Sequence, residues 1–378
     1  MTHGKKGATL YCRRGQDDWE RVHSSPFRQS GPVHSAATTP TINNMPAIIK
    51  DQEPLASHTV FRIGGPARHF VEAADREAVV TAIRAARRSG RPWIILGAGS
   101  NVLAADRGFD GTVIHPTGGE IRIEGNRLAA DAAASMARVV SESLAHGLAG
   151  FEWAIGVPGT IGGSVRGNAG CFGSEMKDVT ERVSVYDAVR DLVAEWPAAE
   201  AAFGYRESVF KHRPELVILG ATLALGPGDA EAARQKVQGY ARARMDQVPE
   251  ALGREFFNPG GHPSRQEVGV PTAGSIFKNV LWSRRGVDKS NLLRRFPAFA
   301  AFTDNPGLPA GFLIDECGLR GRKIGGAMIS PKHANFIINV GGATAEDVIT
   351  LISIAKEYVH RRFGLLLEEE IQYIGFEM

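Results

Sequence analysis

The chain has 378 residues, of which 43% are apolar and 22% are charged, and its formal net charge is +3. This length suggests two or three domains, and the composition is typical of a soluble globular protein. No apolar run approaches the roughly 20 residues that a membrane-spanning helix needs. The excess of basic side chains lies within residues 1–46, so a basic nucleic-acid footprint over the rest is not indicated.

Three cysteines, Cys12, Cys171 and Cys317, lie far apart in the sequence. An odd number of widely spaced cysteines argues against a disulfide framework and is typical of a protein of the reducing cytoplasm. No CxxC pair or His-rich spacing indicates a metal site. We therefore expect a cytoplasmic protein without a metal.

The first patterned sequence follows a polar extension. Residues 1–46 are rich in Ser, Thr, His, Pro and Gly and have no steady hydrophobic period, which predicts disorder. The first ordered elements are then predicted as a strand over 67–73, a helix over 77–89 and a buried strand over 93–96.

Strands and helices alternate through the middle of the chain. The patterns predict, in order, strands over 112–114 and 127–133, a helix over 135–146 with Ser135 as N-cap, strands over 182–187 and 216–225, and a helix over 230–244. Residues 249–271 are irregular and rich in Pro, Gly and charge, and we interpret them as a mobile loop or an insertion.

The end of the chain combines a helix with an acidic extended segment. Thr344 and Asp347 have the spacing of a capping box, which predicts a helix from that point. Residues 365–374 are predicted to be extended and contain Glu368, Glu369 and Glu370. Side chains alternate along a strand, so Glu368 and Glu370 share one face and Glu369 takes the other. The pattern alone does not show which carboxylate belongs to a functional site.

Two glycine-rich segments indicate a bound anion. The first follows the buried strand and contains Gly97, Gly99, Ser100 and Asn101, where small residues let backbone N–H groups approach a phosphate. By itself this is a weak signal, because a strand-to-loop glycine is usually a simple turn, and the third glycine of a GxGxxG fingerprint is missing.

The second segment has more glycines than a tight turn needs. Its candidate cofactor-binding residues are Gly159, Thr160, Gly162, Gly163 and Asn168. Dense glycine is entropically expensive, which favours a ligand-cradling loop over a turn between strands. Two such loops suit a pyrophosphate, and therefore a dinucleotide such as FAD.

Two further segments carry reactive side chains. Tyr205 and Arg206, with Lys211 nearby, have the chemistry to bind a carboxylate or phosphate, although this segment by itself favours an exposed loop with a solvated charge cluster. Ser275 follows a glycine and precedes Lys278 and Asn279. The surroundings of Ser275 are not those of a GxSxG elbow, which disfavours a hydrolase, and a lone Ser is more often a turn residue.

Taken in order, these segments resemble the UDP-N-acetylenolpyruvoylglucosamine reductases, the flavoenzymes that make UDP-N-acetylmuramate. The resemblance runs from about Thr59 to Gly375 and is carried by residues 59–65 (TVFRIGG), 96–103 (LGAGSNVL), 156–163 (GVPGTIGG), 205–208 (YRES), 273–279 (AGSIFKN) and 332–336 (KHANF). Little room remains between Lys211 and Ala230 for the tyrosine-bearing insertion of one subtype, so the chain is similar to the subtype that lacks it.

The resemblance implies an α+β protein. Two FAD-binding subdomains of the vanillyl-alcohol-oxidase (PCMH) type are expected at 47–115 and 116–229, and an α/β substrate-binding domain at 230–364. The C-terminal strand at 365–378 is then expected to carry a catalytic glutamate, after the disordered extension at 1–46.

The resemblance also implies a mechanism. NADPH reduces a non-covalently bound FAD and leaves, the UDP-linked enolpyruvyl amino sugar binds in the same cleft, and hydride passes to C3 of its enolpyruvyl group. Charge then builds on the carboxylate as an enolate, and C2 takes a proton. No nucleic-acid or membrane partner is expected, and the oligomeric state is not indicated.

The matching positions supply the chemistry that these steps need. Arg206 corresponds to the family arginine that stabilises the enolate, and Ser275 to the proton donor. Glu370 corresponds to the second carboxylate of the Leu-Glu-Pro-Glu-Val ending, where a raised pKa would let it donate a hydrogen bond. This assignment follows from register, because Glu369 stands where the family has proline. Tyr205, Lys278 and Asn279 correspond to substrate-contacting positions.

Two other functions are compatible with parts of the pattern. One is a different flavin oxidase of the same cofactor fold acting on an alcohol or phenol, and the other is an inert protein that binds a sugar nucleotide. Bound flavin would exclude the inert protein. Oxidation of NADPH that depends on the enolpyruvyl substrate would separate the reductase from an oxidase.

Overall fold

The computed structural model describes residues 47–247 and 271–376. The predicted disordered extension at 1–46 and residues 249–270 of the predicted irregular segment lie outside the described residues, so both stay predictions.

The first region is a four-stranded sheet with one helix. Its elements are β1 (Ile48–Pro54), β2 (Pro66–Ala73), α1 (Arg76–Arg88), β3 (Trp93–Ile95), β4 (Val102–Ala104) and β5 (Phe109–Pro116), with a 3₁₀ helix at Leu55–His58. The order is β1-β2-β5-β3, in which β1 is antiparallel to β2 and both β2 and β3 run parallel to β5. The carboxylate of Asp75 caps α1 by accepting from the N–H of Ala78 at 2.7 Å.

The second region is built on a five-stranded antiparallel sheet. Its elements are β6 (Ile121–Glu124), β7 (Arg127–Asp131), α2 (Met136–Ala145), β8 (Leu148–Ala149), α3 (Ile161–Gly167), β9 (Gly170–Cys171), β10 (Ser174–Glu175), α4 (Met176–Val179), β11 (Thr180–Asp187), β12 (Leu192–Pro197), α5 (Val209–His212), β13 (Leu216–Ala224) and β14 (Gly226–Pro227), with 3₁₀ helices at Glu152–Ala154 and Ala198–Ala201. The sheet order is β12-β11-β13-β7-β6. Ser135 is the N-cap of α2, as its sequence predicts.

Helix α1 joins these two regions. Its buried residues Val79, Val80 and Ile83 share a core cluster with Tyr186 and Leu219 of the five-stranded sheet. Each large apolar side chain buried in this way contributes about 1.5–3 kcal/mol of transfer free energy. Strand β3, which the first glycine loop follows, packs against the same cluster through Trp93 and Ile95.

The third region combines a small antiparallel sheet with helices. Its elements are α6 (Ala230–Gln247), β15 (Thr272–Ser275), β16 (Val280–Leu281), α7 (Lys289–Arg295), β17 (Gly307–Leu308), α8 (Ala310–Glu316), β18 (Lys323–Ile324), β19 (Ala327–Ile329), β20 (Phe336–Asn339), α9 (Ala345–Phe363) and β21 (Gln372–Ile374), with a 3₁₀ helix at Pro297–Phe302. The sheet order is β15-β20-β19-β18. The predicted capping box of Thr344 and Asp347 opens α9. None of the helices in the described ranges is long and apolar enough to cross a membrane.

The third region is also tied to the first. The carboxylate of Asp106, which follows β4, accepts from the N–H of Ala345 at 2.9 Å, at the start of α9. Phe61, Ile63 and Leu103 lie in the same core cluster as the buried face of α9. The division of this part of the chain into the predicted domains, with their bounds, stays a prediction.

One predicted element is wrong in part. Residues 365–374 do not form a continuous strand, because only β21 is regular, and it pairs in parallel with β4. Before β21 the segment makes a single bridge, Phe277 with Glu369. Leu365, Leu367 and Ile371 are buried in the core of the third region. This burial, and not pairing in a β-sheet, therefore explains the apolar run.

Candidate active site

The first glycine loop, residues 97–101, follows β3, and its backbone N–H groups make no hydrogen bonds within the described part of the chain. Gly99 has a φ of +62°, and a Cβ there would overlap the carbonyl oxygen of His58. Glycine is required at this position, since both the conformation and the space exclude a side chain. A run of free N–H groups is a natural binding place for an anion.

The two glycine loops face each other, as their proposed common ligand requires. The hydroxyl of Ser100 donates to the carbonyl of Pro158 at 3.2 Å. A Cβ on Gly97 would lie 2.9 Å from Oγ1 of Thr160, and one on Gly159 would lie 3.1 Å from Oγ of Ser100. Glycines at these contacts let the two backbones approach one ligand from two sides.

The donors of the second loop are only partly free. The N–H of Gly162 donates to Ala132 at 2.9 Å, and the N–H of Gly163 donates to Oγ1 of Thr160 at 3.4 Å. The N–H groups of Gly159 and Thr160 meet no acceptor within the described part of the chain. Gly162 instead allows close packing, because a Cβ there would lie 2.9 Å from Cβ of Ala132. The residues present fit the diphosphate of a dinucleotide such as FAD, with most free donors on the first loop.

Asn168 has a structural role in this geometry. It is fully buried and ends α3 in the left-handed conformation, with a φ of 43°. Its amide donates to Glu175 and to the carbonyl of Gly204, both at 2.8 Å, and its Oδ1 accepts from the N–H of Lys177. Because both donors and the acceptor are used inside the protein, its side chain is not offered to a ligand.

Arg206 is held in a strained turn. Gly204 and Glu207 exchange both backbone hydrogen bonds, at 2.9 and 3.1 Å, and Arg206 between them has a φ of 57°. A non-glycine residue rarely adopts this conformation, and such strain clusters at functional sites. Nη2 of Arg206 donates to the carbonyl of Gly170 at 2.8 Å.

Arg206 meets Glu370, a residue from the far end of the chain. Nε of Arg206 lies 2.9 Å from Oε1 of Glu370. Nε is buried, and its N–H has no acceptor in line with it among the residues described. A fixed cation whose donor is not fully satisfied is suited to stabilise charge that develops nearby.

The backbone places Glu370 beside the Ser275 strand. The N–H of Glu370 donates to the carbonyl of Ile276 at 2.8 Å, and the amide of Asn101 donates to the carbonyl of Glu370 at 3.2 Å. Burial raises the pKa of Glu370 above its ordinary value, although Arg206 and the nearby lysines oppose this. The raised pKa favours the protonated carboxyl, as the resemblance requires.

The predicted alternation of the three carboxylates is confirmed. Glu369 accepts from Lys356 at 2.9 Å and from the hydroxyl of Tyr373 at 2.8 Å, on the other side from Glu370. Glu368 accepts from Lys278 at 2.6 Å. Of the three carboxylates, Glu370 is the one that contacts Arg206.

Ser275 ends β15 and pairs with Phe336 of β20. It precedes Ile276, the residue that binds the backbone of Glu370, so the two candidate residues lie on adjacent segments. No hydrogen bond joins its half-buried hydroxyl to another residue in the described ranges. The hydroxyl is therefore available to donate to a ligand.

The predicted substrate-contacting residues lie beside this group. The backbone N–H of Asn279 donates to the hydroxyl of Tyr205 at 3.3 Å, and the exposed side chain of Asn279 accepts from the N–H of Ala310. Lys278 is buried and donates to both Glu207 and Glu368. Glu207 carries no functional signal in the sequence, and no local pattern connects it to Lys278.

Comparisons with known proteins match both halves of the chain. Residues 67–191 match the family described as FAD binding domain, and residues 263–374 match the family described as UDP-N-acetylenolpyruvoylglucosamine reductase, C-terminal domain. A UDP-N-acetylenolpyruvoylglucosamine reductase of Caldanaerobacter subterraneus subsp. tengcongensis is 34% identical over 324 residues, covering 85% of this chain and 92% of that protein. The reductase of Caldicellulosiruptor bescii is 36% identical over 330 residues, covering 86% and 90%.

The chain belongs to the UDP-N-acetylenolpyruvoylglucosamine reductase family. A solved reductase from Thermus caldophilus is 28% identical, with a TM-score of 0.63 over 87% of this chain and 99% of that one. The first two regions are accordingly the FAD-binding part of a reductase fold of the vanillyl-alcohol-oxidase type, and the third follows them as in the family.

Proposed function

We propose that Arg206, Ser275 and Glu370 carry out the substrate half of the family reaction. The chain is a FAD-containing, NADPH-dependent oxidoreductase that converts UDP-N-acetyl-3-O-(1-carboxyvinyl)-glucosamine to UDP-N-acetylmuramate in peptidoglycan precursor synthesis. The observation that carries the assignment of residues is the 2.9 Å contact between Nε of Arg206 and Oε1 of Glu370, next to the Ser275 strand.

Each of the three side chains has one task. The chemistry that bound FAD supplies is two-electron reduction with NADPH as the source of hydride. Arg206 stabilises the negative charge that develops on the substrate carboxylate once C3 has been reduced. Glu370, whose pKa burial raises, donates a hydrogen bond to the same developing enolate in its protonated form. Ser275 gives its proton to C2, which a basic carbanion carbon can accept even from an alcohol.

The cofactor is assigned to the facing glycine loops. The N–H groups of Gly97, Gly99, Ser100 and Asn101 would bind the FAD diphosphate without a covalent link, together with those of Gly159 and Thr160. Gly162 and Gly163 would shape the loop rather than donate to the cofactor, since their N–H groups bond within the protein. Asn168 is not included among the FAD contacts.

Tyr205 and Asn279 are assigned to the substrate. Their mutual contact at 3.3 Å joins the Arg206 turn to the Ser275 strand, and the exposed side chain of Asn279 is accessible to the sugar nucleotide. We further propose a cytoplasmic enzyme that has neither nucleic-acid nor membrane partners. Support comes from the free thiols of Cys171 and Cys317, which a reducing compartment maintains.

Anaerobic half-reactions test the proposed function. NADPH should bleach the absorbance of the bound flavin, and addition of the enolpyruvyl sugar should restore it with formation of one UDP-N-acetylmuramate per flavin. Reduction of the oxidised flavin by an alcohol or phenol, or no reoxidation of the reduced flavin by the enolpyruvyl sugar, would overturn the assignment.

A further inference from the structure

One buried lysine links the three segments that carry the proposed catalytic residues. Nζ of Lys278 lies 2.6 Å from Oε1 of Glu207 and 2.6 Å from Oε1 of Glu368. Glu207 follows Arg206 directly, Lys278 is three residues after Ser275, and Glu368 is two residues before Glu370. We name Glu207, Lys278 and Glu368 the ion triad.

We propose that Lys278 is a positioning residue that brings Arg206, Ser275 and Glu370 together through the ion triad. The proposal rests on the proposed function of those three residues. It replaces the expectation from the resemblance that Lys278 contacts the substrate, because two of the three donors of its ammonium are engaged by the carboxylates.

Backbone pairing fixes only two of the three segments. The N–H of Lys278 donates to the carbonyl of Glu368 at 2.8 Å, and the N–H of Glu370 donates to that of Ile276 at 2.8 Å, so the Ser275 and Glu370 segments are held together. The turn around Arg206 belongs to the second region. Its shortest side-chain link to the other two segments is the 2.6 Å bond between Lys278 and Glu207.

The burial of Lys278 strengthens its ion pair with Glu207. The side chains of Lys278 and Glu207 are 9% and 34% exposed, so this ion pair is screened less by solvent than a surface pair. The pair with Glu368 is screened more, because the side chain of Glu368 is 52% exposed. Burial by itself would lower the pKa of Lys278, but the hydrogen bonds that it donates to Glu207 and Glu368 raise its pKa above the ordinary value. The ammonium is therefore charged at neutral pH, and its removal would leave Glu207 without its main partner.

A misplaced Arg206 turn should affect one half-reaction more than the other. Displacement of a catalytic group by about 1 Å can lower a rate about 100-fold. The proton and charge stabilisation that the three residues provide are needed when the enolpyruvyl group is reduced, and not when NADPH delivers hydride. Loss of the ion triad should therefore slow flavin reoxidation selectively.

The test uses Lys278→Met in the full-length holoenzyme. Flavin reduction by NADPH should stay within about 3-fold of the unsubstituted enzyme, whereas the saturated rate of reoxidation by the enolpyruvyl sugar should fall about 100-fold. Lys278→Arg should recover part of this loss, because a guanidinium can still bridge both carboxylates. Lys356→Met is the matched control, since Lys356 pairs with the neighbouring Glu369 at 2.9 Å and should leave both half-reactions unchanged.

A double-substitution cycle distinguishes positioning from general structural damage. Arg206→Met should lower the reoxidation rate much less in the Lys278→Met enzyme than in the unsubstituted one, because the Arg206 turn is already out of place there. Additive effects, or full reoxidation activity in Lys278→Met, would overturn the proposal. If Lys278→Met does not fold, Glu207→Gln takes its place in the cycle with the same expectations. Failure of the unsubstituted enzyme to reduce the sugar would instead refute the proposed function.

Discussion

The side-chain amide of Asn101 donates a hydrogen bond of 3.2 Å to the main-chain carbonyl of Glu370, 269 residues further along the chain. The N–H of Gln372 returns a bond of 2.9 Å to the carbonyl of Asn101. These two bonds extend the parallel pairing of β4 with β21. The glycine loop assigned to FAD and the carboxyl assigned to the substrate are thus joined by backbone hydrogen bonds. A displacement of the loop should therefore also displace the carboxyl.

Gly99→Ala should weaken FAD binding. The substitution places a methyl group against the carbonyl of His58 and strains a backbone with a φ of +62°, so the loop and its free N–H groups must move. We expect about tenfold weaker FAD affinity, equivalent to about 1.4 kcal/mol. Fluorescence titration of the apoprotein with FAD measures this.

Gly125→Ala is the matched control for the loop. Gly125 also has a positive φ, +58°, but a Cβ there would meet nothing within 4 Å. It should therefore retain the FAD affinity of the unsubstituted protein. Equal loss of affinity in both variants would show that backbone strain in general, and not this loop, governs flavin binding.

Arg206→Met should lower the rate of the substrate half-reaction about 100- to 1,000-fold, the usual effect of removing one electrostatic stabiliser. Flavin reduction by NADPH should change little. Stopped-flow absorbance under anaerobic conditions resolves the two steps. Arg213→Met, in the same segment but on the surface and paired with Glu215 at 2.8 Å, should behave as the unsubstituted enzyme. A variant that lost both half-reactions equally would count against the role of Arg206.

Much of this arrangement follows from the sequence, and part of it does not. The helices with a capping residue and an apolar face were predictable, since Ser135 and the pair Thr344 and Asp347 are local signals. Its place among glycines predicts that Asn168 contacts the cofactor, whereas in the structure Asn168 ends a helix and its side chain bonds within the protein. The ion triad could not be predicted from the sequence, because Lys278 bonds to partners 71 and 90 residues away and no local pattern encodes such contacts.

Ser275→Ala should block product formation without preventing reduction of the flavin. Loss of a general acid lowers a rate about 100- to 10,000-fold. Its hydroxyl has no hydrogen bond to any residue of the described ranges, so the substitution should leave the melting temperature within the error of the measurement. Mass spectrometry of the product after single turnover in deuterated water measures both rate and deuterium at C2. Product formed at the unsubstituted rate would exclude Ser275 as the donor.

Asp106→Ala should destabilise the protein without affecting the chemistry. Its carboxylate accepts a hydrogen bond from the N–H of Ala345 and interacts favourably with the positive N-terminal end of the α9 dipole. Together these interactions contribute about 1 kcal/mol to the free energy of unfolding. A loss of this size lowers the melting temperature by about 2–4 °C in a domain of about 200 residues. Asp304→Ala, at an exposed position in the same region, is the control and should have the melting temperature of the unsubstituted protein. Equal melting of all three proteins would show that the contact contributes nothing.

Glu370→Gln should remove the contribution of Glu370 to the pH dependence of the melting temperature. Burial raises the pKa of Glu370 above its ordinary value of 4.5, and Arg206, Lys211 and Lys278 oppose the rise. A carboxyl with a raised pKa in the folded state stabilises the protein fully below its unfolded pKa, and this contribution is lost as the pH rises through the folded pKa. The difference in melting temperature between Glu370→Gln and the unsubstituted protein should therefore shift in favour of the variant as the pH rises above 4.5.

The same titration should appear in the reaction. In the unsubstituted enzyme, flavin reoxidation by the enolpyruvyl sugar should slow as the pH rises through the raised pKa of Glu370, because the ionised carboxylate no longer donates a hydrogen bond to the enolate. The Glu370→Gln variant should be slower at low pH but should lack this limb of the profile, since an amide does not ionise and keeps its N–H donors. Persistence of the same limb in the variant would assign it to another group, and the protonated carboxyl would lose its place in the mechanism.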